Sequence, residues 1–284
     1  MADHTNTDIL RFVRIEKVIE ETPTIRTILF EDEYSIASMS GQFLMVWIPQ
    51  IEELPMSVGI ESVEGRKFAA VTVRKYGLGS TALYHKRVGQ HVGIRGPYGN
   101  YFSVPENLGN ALLIGGGTGL VPLVRLFSDL LHERIQTSLI IGARTRDELL
   151  FEHKVRKLQA DNNHNENIVA FSTDDGTYEF KGSTVALAES ILVSKKFEIM
   201  YTCGPELMMK GVQKLGERFS IPVEASIERY MKCAIGICGS CCINDKLVCQ
   251  DGTIFGSNNL RQLTEFGVSY RDKSGRSSYF ASQS

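Results

Sequence analysis

The run "ERYMKCAIGICGSCCINDKLVC", from Glu228 to Cys249, holds five of the chain's six cysteines. Cys233, Cys238, Cys241 and Cys249 follow the spacing C-x4-C-x2-C-x7-C, with Gly236 and Gly239 between them. A C-x4-C-x2-C run with a further cysteine downstream is the plant-type spacing for a [2Fe–2S] cluster. The small residues between the cysteines suit a loop that wraps a cluster and turns backbone N–H groups toward sulfur. Structural zinc is the alternative, but zinc sites usually carry two C-x2-C pairs, and only one is present. The N-terminus "MADHTNTDILRF" has no basic stretch leading into an apolar one, so no secretory leader is expected. A cytoplasmic location is expected, where disulfides are disfavoured. The cysteine run therefore gives the chain a carrier of single electrons.

A length of 284 residues suggests two or three domains around that loop. Residues 8–104 read as short apolar runs broken by turn residues: "FVRIEKV", "TIRTILF", "GQFLMVWIP", "FAAVTVRKYG" and "HVGIRGPYG". That pattern predicts an antiparallel β-barrel. From 108 to 222 the pattern alternates. "NALLIGGGTGLVPLVRLFSDLLHER" reads as a buried strand, a glycine turn and an amphipathic helix, and "TSLIIGAR", "ELLFEHKVRKLQA", "NIVAFSTDDG", "TVALAESILV" and "FEIMYTCGP" continue it. Alternation of this kind predicts an α/β parallel-sheet nucleotide-binding domain. Residues 223–284 complete the multidomain fold as a small C-terminal [2Fe–2S] domain with a basic, serine-rich tail. Formal net charge is −2, which implies no general nucleic-acid or anionic-membrane role. No apolar run approaches the roughly 20 residues of a membrane span.

Gly115, Gly116, Gly117, Thr118 and Gly119 follow the strand "ALLI" and open a helix near Val121. Glycines let the turn tighten and let the backbone approach a pyrophosphate, while the helix start offers free N–H donors. The bland reading is a tight strand-to-helix turn without a ligand. The next strand ends in "GARTRDE", which offers both arginines and acids near a ribose, so NADH against NADPH stays open with a lean to NADH. Cys203-Gly204-Pro205 stands at the end of the last strand, where ligands of open α/β sheets lie. Taken alone, Cys203 reads as a buried structural thiol. In the barrel, "RGPYGNYF" has turn chemistry, and Gly79, Ser80 and Thr81 precede a helix-like run, where a hydroxyl caps a helix or holds a phosphate. Pro55-Met56-Ser57 reads as the unremarkable start of a strand.

A nicotinamide gives two electrons together and an iron–sulfur cluster takes one. A flavin must stand between them, because it can do both. With that relay in place the chain resembles the ferredoxin-reductase superfamily over residues 10–222. Over nearly its whole length it resembles the iron–sulfur electron-transfer subunits of class B dihydroorotate dehydrogenases. The residues that carry the resemblance are "GQFLMVWIP", "LPMS", "RGPYGNYF", "LLIGGGTGLVPL", "GARTRDELLF", "YTCGPELMM", "ERYMKCAIGICGSC" and "CQDGTIF". It implies FAD held by Pro55, Met56 and Ser57, by Thr72, Val73 and Arg74, and by Gly79, Ser80 and Thr81. It implies NAD(H) over Gly115–Gly119 and Cys203, Gly204 and Pro205, with Ser57 and Cys203 as candidate catalytic residues. It implies a [2Fe–2S] cluster on Cys233, Cys238, Cys241 and Cys249. The implied partner is an FMN-containing dihydroorotate dehydrogenase catalytic subunit in a heterotetramer. That subunit oxidises dihydroorotate to orotate in pyrimidine biosynthesis, and its electrons leave through this chain to NAD+.

Two features depart from that pattern. "LPMS" lacks the arginine that many superfamily members carry before the serine, so pyrophosphate charge must be met elsewhere, with Arg74 a candidate. The seven-residue gap before Cys249 is short, which leaves Cys242 as a competitor for the fourth ligand; Cys249 is preferred for its "CQDGTIF" context. Ile235, Ile237, Ile243 and Leu247 either form a docking surface beside the cluster or seal it from water. Two alternatives remain. One is an NAD(P)H reductase subunit of an electron-bifurcating or sulfhydrogenase complex. The other is a non-enzymatic α/β module with a zinc clip.

Overall fold

The computed structural model describes residues 7–162 and 167–280. The first region comprises β1 (Arg11–Thr22), β2 (Ile25–Phe30), the one-turn α1 (Glu33–Ile36), β3 (Phe43–Ile48), β4 (Glu52–Ser57), β5 (Gly59–Val63), β6 (Arg66–Arg74), α2 (Leu78–Tyr84) and β7 (His91–Tyr98). Its strands form one antiparallel sheet in the order β4-β3-β7-β1-β2-β6-β5. The two edge strands are consecutive in sequence. The chain leaves β4 at Ser57 and begins β5 at Gly59, so it curls the sheet into a barrel itself. Period-two alternation sends Val71 and Val73 inward with Ile28 and Phe30. Thr27 and Thr72, one residue out of phase, face the other side.

"RGPYG" is strand rather than turn. Arg95 to Tyr98 belong to β7, and only Gly99 turns the chain. Phe43 pairs with Tyr98 and Met45 with Arg95, so Gly96 and Pro97 together oppose Leu44 alone. A bulge of this kind leaves a residue without a ladder partner and accommodates a proline that has no N–H to donate.

The second region runs β8 (Asn110–Gly116), α3 (Leu120–His132), β9 (Gln136–Ala143), α4 (Glu152–Asp161), β10 (Val169–Thr173), β11 (Phe180–Lys181), α5 (Thr184–Ser194), β12 (Ile199–Cys203) and α6 (Glu206–Phe219). After it come β13 (Val223–Ser226), β14 (Cys242–Ile243), β15 (Lys246–Leu247), α7 (Val248–Asp251), β16 (Ile254–Gly256), α8 (Ser257–Gln262), β17 (Ser269–Arg271) and β18 (Ser277–Tyr279). The large sheet has the order β11-β10-β9-β8-β12-β13-β16, parallel except for β16. The expected boundary at 222/223 therefore runs through a sheet. β13 pairs with β12, β16 pairs with β13, and the cysteine loop is an excursion between these two adjacent strands. Strand order reverses at β8, with β9 on one side and β12 on the other, so the crevice for a ligand opens at their C-terminal ends.

Leu123, Phe127 and Val155 from α3 and α4 pack on one face of this sheet, and Leu187, Val212 and Leu215 from α5 and α6 on the other. The second core continues without a break into the barrel and the cysteine loop. It includes Phe43, Met45, Tyr98, Ile227, Met231, Ala234, Cys241, Cys249 and Phe255. Among the described residues no helix is long and apolar enough to cross a membrane.

Candidate functional site

A cleft of about 300 Å³ lies where the barrel, the glycine turn and the chain after β13 meet. Pro55, Met56 and Ser57 of β4, Thr72, Val73 and Arg74 of β6, Ser80 of α2 and Thr118 of the glycine turn all line it. Pro55 sits within an edge strand, where its missing N–H costs no ladder bond. Gly79 and Thr81 are not lining residues. The Gly79 N–H donates to Glu52 Oε1 at 2.8 Å, and Lys273 donates to the other carboxylate oxygen at 2.9 Å. The Ser80 hydroxyl accepts the Gly77 N–H at 2.8 Å, which is a helix cap. Arg74 lies 3.9 Å from Glu148 and is one-third exposed, so its guanidinium can turn toward an anion in the cleft.

The glycine turn and the Cys203-Gly204 segment are pressed together. Gly115 pairs with Cys203 across β8 and β12. A Cβ on Gly119 would stand 2.5 Å from the Gly204 nitrogen, and one on Gly204 would stand 2.8 Å from the Gly116 carbonyl oxygen. Gly204 also has φ +145°, a backbone region that side chains disfavour. The two turns can share this crevice only without side chains, which leaves backbone facing the switch point. The Cys203 thiol is buried beneath it and does not line the cleft. Burial, and then the Glu228 charge, raise its pKa, so it stays a neutral thiol.

Sequence reasoning missed the cleft's third wall: Ser226, Ile227, Glu228, Arg229, Met231 and Thr253. Surrounding protein, and then the Glu206 charge, push the Glu228 carboxyl above the usual range. Arg229 is buried in a bidentate pair with Glu206, at 2.5 and 2.9 Å. The third wall leads straight into the cysteine loop, since Met231 stands two residues before Cys233.

The four cysteines lie as two pairs. The Cys238 N–H donates to Cys233 Sγ at 3.4 Å, and the Cys249 N–H donates to Cys241 Sγ at 3.5 Å. Ala234, Gly236 and Gly239 adopt positive φ and curl the loop. Burial alone would raise the Cys238 pKa, but donors from Ser240 and Cys233 bring it down to about 6. Burial, and then the neighbouring Cys241, push Cys249 up to about 12. Among the described residues no three His, Cys, Asp or Glu side chains gather as a single metal ion requires. Backbone N–H groups aimed at cysteine sulfur within one loop fit the surroundings of a thiolate-held cluster. Cys242 turns away from them, and its sulfur meets Arg271 from the C-terminal hairpin. Of the apolar residues nearby, Ile243 is fully buried and seals the loop, whereas Ile237 is 78% exposed beside Cys238. Arg95 of the barrel donates to the Cys233 carbonyl at 3.3 Å and pairs with Glu53 at 2.6 Å, fixing the loop on the barrel.

Residues 113–214 match the family model of the oxidoreductase NAD-binding domain, and residues 228–261 match the iron–sulfur cluster binding domain of dihydroorotate dehydrogenase B. A probable dihydroorotate dehydrogenase B (NAD(+)) electron transfer subunit of Methanocaldococcus jannaschii is 36% identical over 94% of this chain and 97% of its own. The protein of the same description from Methanocella arvoryzae is 38% identical over 92% and 96%. Among solved structures, an NADH-dependent reduced ferredoxin–NADP oxidoreductase studied for electron bifurcation superposes with TM-score 0.77. It is 24% identical over 89% of this chain and 92% of that one, and this likeness carries the fold.

Proposed function

Because the chain belongs to the family of dihydroorotate dehydrogenase B electron transfer subunits, we propose that it carries electrons from a partner's FMN through a [2Fe–2S] cluster and FAD to NAD+. The partner is the catalytic subunit that oxidises dihydroorotate to orotate, and the assembly is read as two copies of each chain. The observation that carries this reading is the single core shared by cleft and cysteine loop. Met231 lines the cleft and lies in one packed cluster with Ala234, Cys241 and Cys249. The two electron sites are thereby joined through dense, dry protein.

When bound, FAD exchanges hydride with a nicotinamide and single electrons with a cluster. The residues of this chain do the rest. Pro55, Met56 and Ser57 with Thr72, Val73 and Arg74 form the wall against which a flavin lies, and the Ser57 hydroxyl offers it a hydrogen bond. Arg74 takes the anion-facing role for which "LPMS" supplies no arginine. Gly115, Gly116, Gly117, Thr118 and Gly119 present backbone to NAD+ with Gly204 and Pro205, and Cys203 supports that floor from beneath. Gly79 and Thr81 shape the turn that carries Ser80. Cys233, Cys238, Cys241 and Cys249 would hold the [2Fe–2S] cluster, which would supply one-electron transfer. The hairpin contact of Cys242 with Arg271 supports Cys249 as the fourth ligand.

The test is co-expression with the candidate catalytic subunit. The pair is expected to co-elute, to release FAD on acid extraction, and to form orotate from dihydroorotate only with NAD+ present. The chain alone is expected to oxidise NADH with artificial acceptors and to leave dihydroorotate untouched. A pair that does not co-elute, or does not couple the two half-reactions, overturns the assignment.

A further inference from the structure

The barrel face that meets the α/β region carries a polar chain that ends at Thr72 of the flavin wall. Glu21, at the end of β1, is half-buried. The Thr27 hydroxyl of β2 lies 2.6 Å from Glu21 Oε1, and 2.9 Å from the Thr72 hydroxyl of β6. Thr27 and Thr72 are 1% and 4% exposed, so bulk water does not compete for these bonds. Thr72 borders two spaces. One is the flavin cleft. The other is a cavity of about 10 Å³ between barrel and α3/α4, bordered also by Thr27, Glu61, Arg125 and Lys154. That is room for about one water among polar partners. Val121 also borders both spaces, but of the two only Thr72 carries a transferable proton.

We propose that Glu21, Thr27 and Thr72 form a proton relay into the flavin cleft. The inference rests on the proposed function, which requires such a supply. Each dihydroorotate oxidised sends two electrons through the cluster, one at a time. The flavin takes up these two electrons and one proton. All three leave together as hydride, which gives NADH and restores oxidised flavin. The cluster brings electrons without protons, so each turnover draws one proton from the protein. With Glu21 ionised, Thr72 donates to Thr27 and Thr27 donates to Glu21. With Glu21 protonated the chain reverses: Glu21 donates to Thr27, Thr27 to Thr72, and Thr72 into the cleft. Delivery breaks the Glu21 O–H bond and leaves its carboxylate, which is reprotonated from solvent, since Glu21 is only half-buried at the end of β1. Burial raises the pKa of Glu21, the Thr27 bond lowers it, and then the Glu61 charge raises it and the Lys154 charge lowers it. The protonated form is thereby favoured relative to a free glutamate. Glu61 and Lys154 are themselves paired.

The experiment uses the flavin-loaded complex with its catalytic subunit, in the parent form and as Glu21→Gln and Thr72→Val. Glutamine keeps an acceptor for Thr27 but releases no proton; valine keeps the shape of threonine without its hydroxyl. In the parent, flavin reduction by dihydroorotate is expected to be fast below the Glu21 pKa and to slow as pH rises through it. Both variants are expected to lose that inflection and to slow about 100-fold, the lower end for a positioned acid. A second readout needs no turnover. The reduced-minus-oxidised infrared spectrum of the parent is expected to contain a protonated-carboxyl band that Glu21→Gln removes. Flavin-loaded variants with the parent's rate and pH profile overturn the relay, as does a carboxyl band that survives Glu21→Gln. A parent complex that holds no flavin refutes the proposed function instead.

Discussion

Arg229→Ala tests whether burial sets the cost of breaking an ion pair here. The Arg229 and Glu206 side chains are 2% and 8% exposed. Arg229 Nη1 also donates to the Glu228 carbonyl at 2.8 Å, and Glu206 Oε1 also accepts the Gly267 N–H at 2.8 Å. Truncation strands the Glu206 carboxylate in a dry site with one remaining donor. Removing one partner of a buried pair costs about 3–5 kcal/mol. The unfolding entropy of a chain this size is about 0.6 kcal/mol/K. The melting temperature is therefore expected to fall by about 5–8 °C, provided the regions unfold together as their shared core favours. Calorimetry and urea denaturation at saturating FAD measure it, since ligand release would add its own shift. The control is Arg144→Ala, whose side chain is 72% exposed beside Glu148 and whose loss costs about 0–1 kcal/mol. Arg229→Met combined with Glu206→Leu removes both charges and is expected to recover most of the loss. Equal shifts for Arg229→Ala and Arg144→Ala would refute the reasoning.

Cys249→Ser is expected to lose the iron and the visible absorbance of the cluster, whereas Cys242→Ser keeps both; iron analysis of the purified proteins checks this. Gly119→Val places a Cβ 2.5 Å from backbone and costs about 1–3 kcal/mol. NADH is expected to bind about 5- to 150-fold more weakly while FAD is retained, as calorimetric titration reads. Asp32 caps α1, bonds Ser35 and pairs with Arg11 at 2.8 Å. Burial alone would raise its pKa, but the Arg11 and Ser35 bonds win and lower it. Its stabilisation is therefore present above the unfolded carboxylate pKa of about 3.9 and is lost as pH falls through the lower folded value. Asp32→Asn is expected to cost about 1.5–3 kcal/mol at pH 7, with the difference shrinking below about pH 4 in denaturation curves.

What the sequence made legible followed from periodicity and spacing. The run from Ala111 to His132 shows a strand, glycines and a helix because each element is long enough to display its period. The cysteine spacing announced a cluster because ligands within one loop are fixed by local geometry. β13 and β16 were hidden because they are four and three residues long, and they pair across the whole cysteine loop. Arg95 and Arg229 look like ordinary surface charges in sequence. Only the tertiary fold buries Arg229 and sets Arg95 against the Cys233 carbonyl. The third cleft wall, Ser226 to Met231, was illegible for the same reason: its role arises where the end of β13 meets barrel residues far earlier in the chain, from Gly41 to Ser80. The Arg95–Tyr98 stretch misled because glycine and proline signal turns, and a bulge admits them into a strand.

The cysteine loop leaves and rejoins the large sheet through adjacent strands, with Ala225 paired to Phe255 and Ser226 to Ile254. It is thus stitched to its neighbours by a ladder rather than tethered by a linker. A swinging carrier trades reach for uncertainty in the gap that each electron must jump. This chain forgoes reach. For the cysteines to drift from the switch point, ladder bonds between β13 and β16 would have to part, so the jump length is held by backbone architecture. Any large motion during turnover must then fall to the arriving partner or to the departing nucleotide.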